Sequence, residues 1–115
     1  WVITGTTRSG QLSDDLRLAA QSTATVIVLM GMRRAGEIAA LFAKAGKADL
    51  PAMAISRGST TAERRVLGTV SDLDERIQRA QLERPGLLVF GEVVRLHPEW
   101  DFAAVAAQNL QKERA

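Results

Sequence analysis

Short runs of β-branched and aliphatic residues alternate along the chain with stretches whose apolar positions recur every three or four residues. Trp1–Thr4 (WVIT) reads as a short strand ending at Gly5, and Thr6–Ser13 as a polar loop. Leu16, Ala19 and Ala20 fall on one side of a short helix within Asp14–Gln21. Thr25–Met30 (TVIVLM) is continuously apolar after its first residue, the pattern of a strand covered on both faces, and Gly31 ends it. Ile38, Leu41, Phe42 and Ala45 then fall at i, i+3, i+4 and i+7, which predicts a helix over Arg33–Ala45. Gly46 stands where a left-handed C-cap belongs.

The second half repeats the alternation. Pro51 opens a strand over Ala52–Ser56, Arg57–Thr61 (RGSTT) is a loop, and Arg64–Val70 is a further strand. Ser71 is the expected N-cap of the next helix, with Asp74 and Glu75 in its first turn and Leu73, Ile77 and Ala80 on its apolar side. Pro85-Gly86 punctuates before the strand Leu87–Phe90 (LLVF), which Val93–Leu96 is expected to extend past Gly91. Phe102, Val105, Ala106, Asn109 and Leu110 mark one face of a C-terminal helix, with residues 103–115 forming this helix and a fraying tail.

Five strands and about four helices in alternation, with no internal repeat, make an α/β fold with a sheet flanked by helices. The connection from Ser56 to Arg64 is too short for a helical crossover, so these two strands should run antiparallel. The five-stranded sheet is therefore expected to be mixed.

Composition changes this picture only at the margins. The chain has 115 residues, one domain's worth, of which 46% are hydrophobic and 24% charged. It starts at Trp1 inside a strand-like run, which suggests a piece of a longer protein. With no cysteine there is no disulfide, thiolate zinc site or thiol nucleophile. The longest apolar run, Val26–Met32, falls far short of the roughly 20 residues of a membrane helix.

The pI of 9.7 suggests nucleic acid, but the excess is only 15 Lys and Arg over 13 Asp and Glu. With no Tyr or Cys and only His97, little titrates between the carboxylates and the lysines, so a small excess of base carries the pI far up. The cations are interleaved with acids, as in Asp74-Glu75-Arg76, and aromatics are 4%. A nucleic-acid surface would gather both. Neither a nucleic-acid partner nor a membrane is expected.

No self-sufficient catalytic set is visible. G-x-S-x-G, P-loop and G-x-G-x-x-G motifs are absent. His97, beside Pro98, reads as a solvated turn residue, and Asp14-Asp15 as helix N-terminal charge before a metal pair. More informative are glycines at strand ends: Met30-Gly31, Gly58-Ser59 and Pro85-Gly86. Ligands of open α/β sheets sit beyond strand ends, where glycine lets a flat ring approach the backbone. Each glycine taken alone is more often a plain turn than a ligand contact.

Four strings occur in order: VITGTTRSGQL, VIVLMGMRRAGEIAALFAKAG, AISRGSTTAERRVLGTV and PGLLVFGEVVRL. Together they resemble the C-terminal half of the uroporphyrinogen-III C-methyltransferases, S-adenosylmethionine (SAM)-dependent tetrapyrrole methylases of the sirohaem and cobalamin routes. The resemblance runs from Trp1 to about Phe102. It implies the second domain of a two-domain enzyme, whose N-terminal domain with its glycine-rich SAM loop is missing here. It further implies SAM as cofactor, a tetrapyrrole substrate methylated to precorrin-2 and a homodimer; the absence of cysteine fits the expected cytoplasmic location.

Carried over by motif, Met30, Gly31, Gly58, Ser59, Gly86 and Leu87 would line the cofactor. Where the family has Thr-Gly-His this chain has Thr4-Gly5-Thr6, so the shorter Thr6 hydroxyl would serve the substrate loop. Arg57-Gly58-Ser59 replaces Asn-Gly-Thr, and Glu63 stands where Gln is usual. No catalytic side chain and no metal ligand is implied. Methyl transfer from a sulfonium needs no proton on the leaving thioether, so positioning can carry it. The isolated half should be nearly inactive. Two alternatives stay open: a methylase of another precorrin or acceptor, and a non-catalytic dimerisation module.

Overall fold

A computed structural model describes residues 1–7, 10–57, 61, 63–84, 86–98 and 100. Five strands form one sheet: β1 (Val2–Thr4), β2 (Val26–Leu29), β3 (Pro51–Ser56), β4 (Arg64–Thr69) and β5 (Gly86–Phe90), in the order β1-β2-β5-β3-β4. β1 and β2 pair in parallel, whereas β5 is antiparallel to both β2 and β3, and β3 to β4. The sheet is mixed, and the β3–β4 pair is antiparallel as its short connection requires. Strands β1, β2 and β3 therefore point one way and β4 and β5 the other. Consequently the ends of β1, β2 and β3 share one edge with the starts of β4 and β5.

Register explains the core. Val26 and Ala52 both lie opposite Phe90, and Val28 and Ala54 both lie opposite Leu88. All six are fully buried and share one face, because side chains alternate with a period of two. Against this face pack α1 (Asp15–Gln21), α2 (Ala35–Lys44) and α3 (Leu73–Ala80). Leu16, Ala19 and Ala20 of α1 are buried, as their spacing predicts. Phe42 of α2 stacks on Phe90, with ring centroids 4.3 Å apart. α2 buries Ala35, Ile38, Ala39 and Phe42. That stripe sits one turn earlier than the expected one, leaving Ala45 exposed.

The helix ends show local chemistry at work. Gly46 (φ +86°) takes the left-handed position after α2. Its N–H donates to the Ala43 carbonyl and the next N–H, of Lys47, to that of Phe42, a Schellman closure. At α3 the expected N-cap is displaced by one residue. Asp72, not Ser71, precedes the helix. Asp72 Oδ1 accepts the Thr69 N–H at 2.8 Å and Oδ2 accepts Arg76 Nε at 2.9 Å. The carboxylate thus closes the turn after β4 and pairs with a cation of α3, and makes no bond to the helix's own N–H groups. Ser71 instead meets Thr69 Oγ1.

Two further expectations are revised. Val93–Leu96 does not extend β5: Glu92–Leu96 is a 3₁₀ turn. The Gly91 N–H donates to the Pro51 carbonyl and the Val94 N–H folds back to the Gly91 carbonyl, which buries Val94 and leaves Val93 and Leu96 exposed. The described residues also hold three α-helices rather than about four. The expected C-terminal helix and the 103–115 tail lie outside the described residues.

Candidate functional site

The shared edge of the sheet is where the strand-end residues of the sequence meet. Thr4 pairs with Leu29, Leu29 with Leu87, and Gly86 with Ser56. This single line across four strands brings the Gly5-Thr6 loop, Met30-Gly31, Arg57 and Gly86-Leu87 together. Met30 (φ 57°) and Arg57 (φ 52°), each just past a strand end, are both left-handed without being glycine. Such a conformation costs about 1–3 kcal/mol and concentrates at ligand-binding positions.

An open cleft of about 370 Å³ occupies this edge, lined by Thr6, Gly10, Met30, Met32, Arg33, Arg34, Arg84 and Gly86. Its size falls at the lower end of small-molecule sites. Of the seven residues expected at a ligand site, Thr6, Met30 and Gly86 line it. Met30 is 68% exposed and Met32 only 7%. Met32 forms the floor, with its thioether over Gly86. A side chain at Gly86 would collide with Met32 Cε and lie 2.6 Å from the Ile55 carbonyl oxygen. Gly31 is buried beneath the cleft, packed against Val28 and Ile38. Leu87 is half-buried in β5 and does not line it. Gly58 and Ser59 lie outside the described residues.

The walls are braced. Arg34 forms a bidentate pair with Glu37 at 3.1 and 2.7 Å and donates to the Gly10 carbonyl at 2.7 Å. It thereby ties the loop after β1 to the start of α2. The hydrogen bond from Arg34 holds the Glu37 carboxyl below its ordinary 4.5, against a smaller opposing effect of desolvation. The same bond raises the Arg34 guanidinium. The loop closes on itself through Thr7 N–H to the Gln11 carbonyl and a bridge between Thr6 and Leu12. Across the cleft, buried Ser56 donates its hydroxyl to the Glu83 carbonyl at 2.5 Å, and Arg57 pairs with the Glu83 carboxylate at 2.6 Å. Both contacts fix the segment that carries Arg84.

Comparisons with known proteins bear on the family. A SAM-dependent uroporphyrinogen III methyltransferase of Arabidopsis thaliana, chloroplastic by name, is 35% identical over 116 aligned residues, 97% of this chain and 31% of the relative. A uroporphyrin-III C-methyl transferase of Thermus thermophilus, solved with S-adenyl homocysteine, superposes with a TM-score of 0.71 at 32% identity, over 84% of this chain and 42% of that one. This chain is a homologue of the uroporphyrinogen III methyltransferases. Siroheme synthase 1 of Klebsiella pneumoniae is 36% identical over 98 residues, 84% of this chain and 20% of the relative. The chain thus spans a third or less of these two curated relatives' length. No family model matches it.

Within this homologue, Met32, Arg33, Arg34, Arg84 and Gly10 reach the cleft without having been singled out by sequence. Arg33 and Arg34 open a helical segment and Arg84 sits in a run of mixed charge, so neither position differs from an ordinary solvated face. Among the described residues, no three His, Asp or Glu side chains are placed to hold a metal. No helix there is long and apolar enough to cross a membrane.

Proposed function

We propose that this chain is the C-terminal half of a SAM-dependent methyltransferase that converts uroporphyrinogen III to precorrin-2. In this reading the cleft is one wall of the cofactor trough, and an N-terminal domain supplies the other. The observation that carries it is the convergence of Thr6, Met30 and Gly86 on one cleft at one sheet edge. The residues fit such a ligand: Met32 over Gly86 gives a flat apolar floor, and exposed Met30 can lie against a nucleoside or thioether.

When bound, SAM supplies an electrophilic methyl group on sulfur. The chain's own part is to position and to exclude water. Met30 and Met32 provide the apolar surface, the Thr6 hydroxyl faces the acceptor side, and Gly31 and Leu87 back the floor. Gly58 and Ser59 complete the adenosine end. The protein works in the cytoplasm as a homodimer, for which exposed Trp1 and, on edge strand β1, Val2 offer apolar surface.

Calorimetric titration of the full-length protein with S-adenosylhomocysteine tests the reading. Met30→Glu places a charge against the ligand's apolar body and should raise the Kd about tenfold or more. An unchanged Kd removes Met30 from the cofactor wall. Absence of binding by the unaltered protein removes the methyltransferase reading.

A further inference from the structure

Most arginines of the described chain are paired. Arg34, Arg57, Arg65, Arg76, Arg79 and Arg95 each have a carboxylate oxygen within 3.2 Å. Arg17, Arg33, Arg64 and Arg84 have none among the described residues. An unpaired arginine on a solvated surface means little alone. Arg33 and Arg84 differ because both line the same cleft, together with apolar Met30 and Met32 and with no acidic side chain among its described lining residues. Arg34, the third cation there, is already committed to Glu37 and Gly10.

Both free guanidiniums stand on braced backbone. Arg33 lies in the 3₁₀ turn Met32–Arg34, closed by the Arg34 N–H on the Gly31 carbonyl at 3.1 Å. Arg84 follows Glu83, whose carbonyl and carboxylate are held by Ser56 and Arg57. Fixed positions lower the ordering cost of binding, and guanidiniums beside an apolar surface favour planar carboxylates.

We infer that Arg33 and Arg84 bind a carboxylate of a ligand whose flat apolar body lies on Met30 and Met32. This rests on the reading of the cleft as a tetrapyrrole methylase trough, where two sources of carboxylate exist. One is the amino-acid end of the SAM-type ligand, the other the periphery of the macrocycle.

The test uses the full-length protein with Arg33→Gln and Arg84→Gln, each beside its Lys counterpart. Three probes are titrated: S-adenosylhomocysteine, 5′-methylthioadenosine (the same nucleoside thioether without the carboxylate) and a polycarboxylated porphyrin. Each Gln replacement should raise the Kd of one carboxylate probe about tenfold, with partial recovery in the Lys variant. Binding of 5′-methylthioadenosine and the thermal midpoint should not move. An effect on S-adenosylhomocysteine assigns the carboxylate to the cofactor, and an effect on porphyrin alone assigns it to the macrocycle. Dependence of neither carboxylate probe on either arginine overturns the inference. If the unaltered protein binds neither nucleoside probe, the methylase reading fails separately, and the porphyrin titration still decides the role of the arginines.

Discussion

Gly86 shows what one residue does at this site. Its missing Cβ is the space that Met32 fills, so the floor of the cleft exists because position 86 is glycine. Gly86→Ala should push Met32 aside and strain β5 against the Ile55 carbonyl. A loss of about 1–3 kcal/mol in urea unfolding is expected, typical of overpacking, together with weaker ligand binding. Sequence alone marked Gly86 as a position for a ligand ring to meet the backbone. In the structure the atom that meets that backbone is the protein's own methionine. The difference is instructive: a glycine reports close approach, and only packing tells what approaches.

At the scale of elements, the cleft depends on joints between secondary structures. The Arg34–Glu37 pair ties the loop after β1 to α2 through the Gly10 carbonyl. Because the folded-state Glu37 carboxyl titrates below its ordinary 4.5, the pair contributes fully above that value and is lost as pH falls through the depressed one. Amide protection around Gly10, referred to the intrinsic exchange rate at each pH, should therefore fall on acidification below pH 4.5. Glu37→Gln should show the reduced protection already at neutral pH, with little further change in acid. Identical profiles for the two proteins would show that the joint does not depend on this charge. Element boundaries follow the same logic of competing local bonds. Asp72 rather than Ser71 takes the N-cap position of α3, with its carboxylate spent on Thr69 and Arg76 and not on the helix's own N–H groups. Val93–Leu96 turns away from β5 as the Val94 N–H closes back on the Gly91 carbonyl.

For the whole molecule, stability is centred on the covered face of the sheet. Phe90 lies between Val26 and Ala52 in register and stacks on Phe42, so it joins three strands to α2. Phe90→Ala should cost about 3–5 kcal/mol and move the urea midpoint accordingly, since neighbours held by sheet register cannot collapse into the void. Phe42→Ala should act less than additively with it in a double-mutant cycle, as expected for residues in contact. The opposite edge of the molecule carries the cleft, where left-handed Met30 and Arg57 store strain rather than add stability.

By itself the sequence determined the order of strands and helices, the mixed character of the sheet and the antiparallel β3–β4 pair. Those follow from hydrophobic period and connection length, which are local quantities. Its four strings also carried the resemblance to tetrapyrrole methylases. Tertiary structure decided which strand ends share an edge, because the order β1-β2-β5-β3-β4 places β5 between strands that precede it in the chain. That insertion brings Thr6, Met30 and Gly86 together, and it delivers Arg33 and Arg84 from distant segments to one cleft. No periodicity along the chain encodes such a meeting, since it depends on long-range pairing and on which cations find local acids and which do not.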